Sequence, residues 1–102
     1  MIFRRRFGDV IARQLALFER EQAGLVADCA AAERAYTSAP REEAEERYGD
    51  YLDLVETGTE LLVAIRDSYA ATLDEETAAE YETAFNRAVG KRLPRFAVEL
   101  ED

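Results

Sequence analysis

From Ile11 to Tyr36 the apolar residues return in alternating steps of four and three: Ile11, Leu15, Phe18, then Leu25, Cys29, Ala32 and Tyr36, with Gln22 the one polar member of the series. A repeat of this kind keeps every member on one face of a helix, and its mean step is that of a coiled-coil seam. The same steps recur from Tyr51 through Val55, Gly58, Leu62 and Ile65 to Tyr69. A strand needs strict alternation instead, and no segment sustains it. Two such stripes in one chain must be covered, and each is the natural cover for the other. The expected fold is all-α.

Two points of punctuation divide the chain. At Thr37-Ser38-Ala39-Pro40 a capping residue precedes a proline, and the acids Glu42, Glu43, Glu45 and Glu46 follow. Proline is tolerated where a helix begins because its missing N–H has no partner there, and acids suit the positive end of the helix dipole. At Thr72-Leu73-Asp74-Glu75-Glu76 a helix starts in one of two ways. Either Thr72 caps, with Glu75 completing a capping box, or Asp74 caps, with Leu73 and Ala78 as a hydrophobic staple. Gly90, the bases Lys91, Arg92 and Arg95, and Pro94 mark its end. These signals predict a long antiparallel hairpin, with helices over about 3–36 and 40–72, plus a shorter third helix over about 74–93. The result is a three-helix bundle in a single domain, 1–102.

A bend near Ser38 sets residues facing each other when their numbers sum to about 76: Phe7 with Tyr69, Ile11 with Ile65, Leu15 with Leu61, Phe18 with Gly58 and Leu25 with Tyr51. The glycine is expected to make room for the Phe18 ring. Each arm is then about 50 Å long and the third helix about 30 Å. The third helix falls short of the tip, where Leu25, Val26, Cys29 and Tyr36 of one arm lie near Tyr48, Tyr51 and Leu52 of the other. Residues 96–102, which include Glu99, Glu101 and Asp102, make a poor cover. These seven tip residues are therefore the candidate interface of a homo-oligomer, most simply a twofold dimer.

Charge narrows the partners. There are 22 acids against 13 bases, a net charge of −9, with 48% apolar residues and eighteen alanines. That is enough apolar material for a core, in a composition that favours helix. The balance runs +3 over residues 1–20, −13 over 21–86, +4 over 87–95 and −3 over 96–102. Arg4, Arg5 and Arg6 stand at the positive end of the first helix. They either meet Asp74, Glu75 and Glu76 at the same end of the bundle or contact an anionic surface, with Ile2, Phe3 and Phe7 entering a membrane interface. An acidic body with so small a basic patch disfavours nucleic acid. No uncharged run exceeds six residues, far short of the roughly 20 that span a bilayer. Arg13 and Gln14 interrupt any signal-peptide core, and Cys29 is a lone cysteine. The expected location is the cytoplasm.

Chemistry is not written in this chain. There is no histidine, which removes the commonest general base and transition-metal ligand. Arg41-Glu42-Glu43-Ala44-Glu45-Glu46 resembles the first half of the motif of all-α nucleoside-triphosphate pyrophosphatases. Their second half, Glu-x-x-Asp on the next helix, has no match, since Ala64-Ile65-Arg66-Asp67 lacks the glutamate. Glu46, Asp50 and Asp53 share a helical face, which reads as solvent-facing, with Arg47 relieving Glu43. Cys29 on the seam reads as a small hydrophobe with no base to activate it. In size and acidity the chain is similar to bacterial secreted helical hairpins, but it has neither their Trp-x-Gly turn nor their tyrosine-based export signal. The expectation is a non-enzymatic helical interaction protein without catalytic, metal or cofactor sites. The alternatives are an acidic regulatory subunit of a different protein and, behind it, a magnesium-dependent phosphohydrolase using carboxylates.

Overall fold

The computed structural model describes residues 6–97 and Leu100. They form four α-helices, α1 (Gly8–Glu21), α2 (Ala23–Thr37), α3 (Arg41–Ala70) and α4 (Glu75–Arg92), followed by a 3-10 turn at Pro94–Phe96. There is no strand among the described residues. The whole measures 51 × 25 × 24 Å, an elongated helical hairpin with α4 laid along one end.

The first arm is not one helix. It divides at Gln22, whose backbone (φ −110°, ψ 27°) leaves the helical region, so the three helices expected become four. The hydrogen-bond ladder bridges the break, with Gln22 N donating to Phe18 O at 2.8 Å and Val26 N to Gln22 O at 2.9 Å. The arm is kinked rather than ended. Side-chain volume supplies the reason. Above the kink, α2 and α3 approach closely, with alanines such as Ala30, Ala32 and Ala44 and the glycine Gly49 half-buried along them. Below it, the close approaches of α1 are to α2 and α4 rather than to α3. Large rings from α4 and the C-terminal turn stand between α1 and α3, and the helical break falls where that spacing changes. Gln22, half-buried, is the joint rather than a polar layer in a continuous seam.

The anticipated register is seen at one remove. Phe7 and Tyr69 lie at one level, but each packs on Tyr81 between them, with ring centroids 5.5 and 4.7 Å away. Phe18 and Gly58 likewise share a level, and Phe96 separates them. Its ring meets Phe18 edge-on at 5.8 Å, and a Cβ built on Gly58 would overlap Phe96 Cε1. Gly58 therefore makes room for Phe96, not for Phe18. The core that results contains Ile11, Leu15, Phe18, Leu62, Tyr81 and Phe85, closed by Phe96, Ala97 and Leu100. The C-terminal segment, expected to cover little, supplies the lid of this core.

The helix ends also correct the sequence reading in detail. Thr37 and Ser38 do not cap α3. Their hydroxyls turn back onto α2, Ser38 Oγ donating to Arg34 O at 2.8 Å and Thr37 Oγ1 to Glu33 O. Pro40 itself occupies the N-cap, in extended backbone and with no side-chain cap. Helix α4 runs through Gly90, which has no positive φ, and stops before Pro94. The first arm becomes helical at Gly8, after a turn at Arg6 and Phe7.

Of the two caps open for α4, the chain uses Asp74. Its carboxylate accepts from Thr77 N at 2.9 Å and from Thr77 Oγ1 at 3.0 Å, while the Thr72 hydroxyl bonds back to Tyr69 O. The Thr77 backbone N–H, then the Thr77 hydroxyl, hold the Asp74 carboxyl below its ordinary range. A depressed folded-state value means stability that is present above the unfolded carboxylate value of about 3.9 and is lost as pH falls through the folded one. Asp74→Ala is therefore expected to melt at a lower temperature than the parent near neutral pH, with the gap shrinking in acid. Thermal melts followed by circular dichroism at both pH values check this; a gap that does not change with pH would remove the carboxylate from the account.

Candidate interaction surface at the hairpin tip

The tip is built by the last turns of α2 and the first turns of α3. Tyr36 comes from α2, and Tyr48, Tyr51 and Leu52 come from α3 at spacings of three and four, which bring them to one side of that helix. The three rings form a cluster: Tyr36 to Tyr48 at 4.9 Å, Tyr36 to Tyr51 at 5.8 Å in a stacked pair, and Tyr48 to Tyr51 at 6.3 Å. Tyrosine suits such a place because its ring packs while its hydroxyl stays wet.

The seven residues expected to form an exposed face do not share one fate. Cys29 is fully buried and belongs to the core. Its burial pushes the thiol above its ordinary pKa, while Arg95 pulls it down and Asp28 pushes it up by smaller amounts, so the sulfur is protonated and shielded. Leu25 and Val26 are half-buried against that core. Tyr36 and Tyr51 are half-buried as well, whereas Tyr48 and Leu52 each expose 43% of their surface. The open apolar surface is thus smaller than the sequence suggests and centres on Tyr48 and Leu52.

Arg95 reaches the tip from the C-terminal turn. Its guanidinium pairs with Glu33 at 2.7 Å, reaches the Tyr51 hydroxyl at 3.3 Å and lies 5.9 Å from the centre of the Tyr51 ring. One side chain from the C-terminal turn thereby ties both hairpin arms together at the level of Tyr51. By sequence Arg95, like Pro94, marks only the end of α4; no local signal shows that the chain beyond the proline runs towards the tip.

At the opposite end, Arg4 and Arg5 lie outside the described residues. Arg6 pairs with Glu80 at 2.8 Å and stands 5.4 Å from the centre of the Phe7 ring. Its acidic partner is on α4, beyond the Asp74–Glu76 turn that one of the two readings named. Both members of the pair are more than half exposed, so it contributes little stability.

The acids of α3 do not converge. Arg47 lies between Glu43 (3.6 Å) and Asp50 (3.9 Å), and among the described residues no group of three or more Cys, Asp or Glu side chains is placed to hold a metal ion. Nor is any described helix long and apolar enough to cross a membrane. Comparison of the chain with protein-family models, with curated proteins and with solved structures finds no match in any of the three.

Proposed function

We propose that this protein is a non-enzymatic helical interaction module that associates with a second copy of itself through the hairpin tip. The observation that carries the reading is the exposure of Tyr48 and Leu52, one helical turn apart, beside a tyrosine cluster that Arg95 of the C-terminal turn reaches at Tyr51. A second copy is the fitting occupant because the tip carries both signs of charge. Arg34 and Arg41 are exposed alongside Glu42, Glu45 and Glu46, so a twofold axis through the patch sets cations of one copy against acids of the other. With Cys29, Leu25 and Val26 withdrawn, the interface belongs to the small, reversible end of the range, below about 1,200 Å² in total.

Sedimentation over a micromolar concentration series is expected to show a mass rising from 11.5 kDa towards twice that value. Tyr48→Glu with Leu52→Glu should hold the chain at the lower mass without loss of helical signal, because neither side chain is part of the core. A mass that stays at 11.5 kDa at every concentration overturns the reading. The exposed acids Asp53, Glu56 and Glu60 of α3, which have no cation at ion-pair distance among the described residues, favour the second reading, an acidic regulatory subunit. That alternative predicts instead a salt-sensitive complex with a basic protein.

A further inference from the structure

We propose that the groove between α1 and α4 binds a small anionic amphiphile of the acyl carboxylate class. The groove holds about 800 Å³, within the range of small-ligand sites, and lies on the face of the bundle away from the tip tyrosines. Its floor is apolar, formed by Ile11 and Leu15 of α1 and Ala84 and Ala88 of α4, with Phe7 at one end. The walls are low because the residues that line them are small. Gly8 and Ala12 face Ala79 and Thr83 across the opening, and a Cβ built on Gly8 would meet nothing within 4 Å.

The charge at the rim identifies the ligand's head. Arg6 pairs with Glu80 and Arg92 with Glu19, each at 2.8 Å, and these two ion pairs tie α1 to α4 at either end of the groove. Between them Arg87 and Lys91 also line it, one helical turn apart, and neither has a carboxylate at ion-pair distance among the described residues. Like charges at this spacing repel, and in a chain of net charge −9 an unrelieved cationic pair beside apolar surface is conspicuous. Lys91 serves the negative end of the α4 dipole, but Arg87 lies before the last turn. An anionic head between Arg87 and Lys91 relieves the repulsion, and a tail laid along Ala88, Ala84 and Ile11 towards Phe7 covers the floor.

Titration of the full chain with decanoate, with 1-decanol and with acetate tests this, read by calorimetry and by amide chemical shifts. Decanoate is expected to bind one per chain and to move the amides of Ala12, Ala84 and Ala88. The alcohol should bind about tenfold more weakly and acetate not measurably. Arg87→Gln with Lys91→Gln should reduce decanoate to about the affinity of the alcohol while the circular dichroism spectrum is retained and melting falls only by the small effect of losing Lys91 at the helix end. Ala84→Leu, which fills the floor, should weaken both ligands. Absence of decanoate binding, equal binding of acid and alcohol, or shifts confined to the tip would each overturn the proposal. So would a dimer that Ala84→Leu abolishes, because the groove would then belong to a second copy.

Discussion

Replacing Phe96 by alanine is expected to destabilise the protein by about 3–5 kcal/mol, the cost of removing a buried aromatic ring and leaving its space open. The ring is 2% exposed and fills the gap between Phe18 and Gly58. The backbone around it is held too, Thr59 Oγ1 donating to Phe96 O at 3.4 Å, and Arg95 next to it binds Glu33 and Tyr51. Urea unfolding followed by far-UV circular dichroism measures the loss. A second substitution gives the same contact a change of sign. Gly58→Ala alone adds a methyl where the ring already stands, and overpacking of this kind costs about 1–3 kcal/mol, more than the helix gains from alanine. In the Phe96→Ala background that clash is gone, and Gly58→Ala should stabilise by about 0.5–1 kcal/mol, as a glycine-to-alanine change inside a helix does. If Gly58→Ala is equally harmful in both backgrounds, Phe96 is not the neighbour that requires the glycine.

Tyr81→Ala is expected to cost a similar 3–5 kcal/mol, because this fully buried side chain keeps the lower bundle together. Its ring lies against Phe7, Tyr69 and Phe85, three residues from three different helix-level segments, and its hydroxyl donates to Gln14 Oε1 at 2.9 Å. Tyr81→Phe keeps the packing and should cost about 0.5–1.5 kcal/mol for the lost hydrogen bond. The two variants separate packing from polarity. The phenol also predicts an alkaline limb. Burial is the main cause that raises the Tyr81 pKa. A raised folded-state value means stability fully present below the unfolded tyrosine value of about 10 and lost as pH climbs through the folded one. Stability measured against pH should fall less steeply above about pH 10 in Tyr81→Phe than in the parent. An unchanged alkaline slope would show that Tyr81 does not carry this limb.

The two residues behind these predictions differ in how far the sequence places them. Tyr81 and Phe85 are legible as the apolar stripe of the last helix, because their spacing alone marks the buried face. That Tyr81 stands between Phe7 and Tyr69 is not legible, since a hairpin register pairs the two arms without allowing for a third ring. Phe96 is harder still. It follows a proline in a short basic and acidic stretch with no periodicity, so nothing local marks it as core. At the tip, the clustering of Tyr36, Tyr48 and Tyr51 follows from position along two helices that meet at a short turn. The loss of Cys29 from that surface does not, because it depends on where the C-terminal turn runs.

Helical character, the positions of the two main turns and the inward face of each helix are already written in the linear chain. Those properties follow from the spacing of apolar side chains along one segment and from local signals such as Asp74 and Pro94. The tertiary structure alone decided the kink at Gln22, the seating of Phe96 over Gly58 and the opening of a groove between α1 and α4. Each of these depends on the distance between helices, and that distance is set by side-chain volumes contributed by segments far apart in the chain.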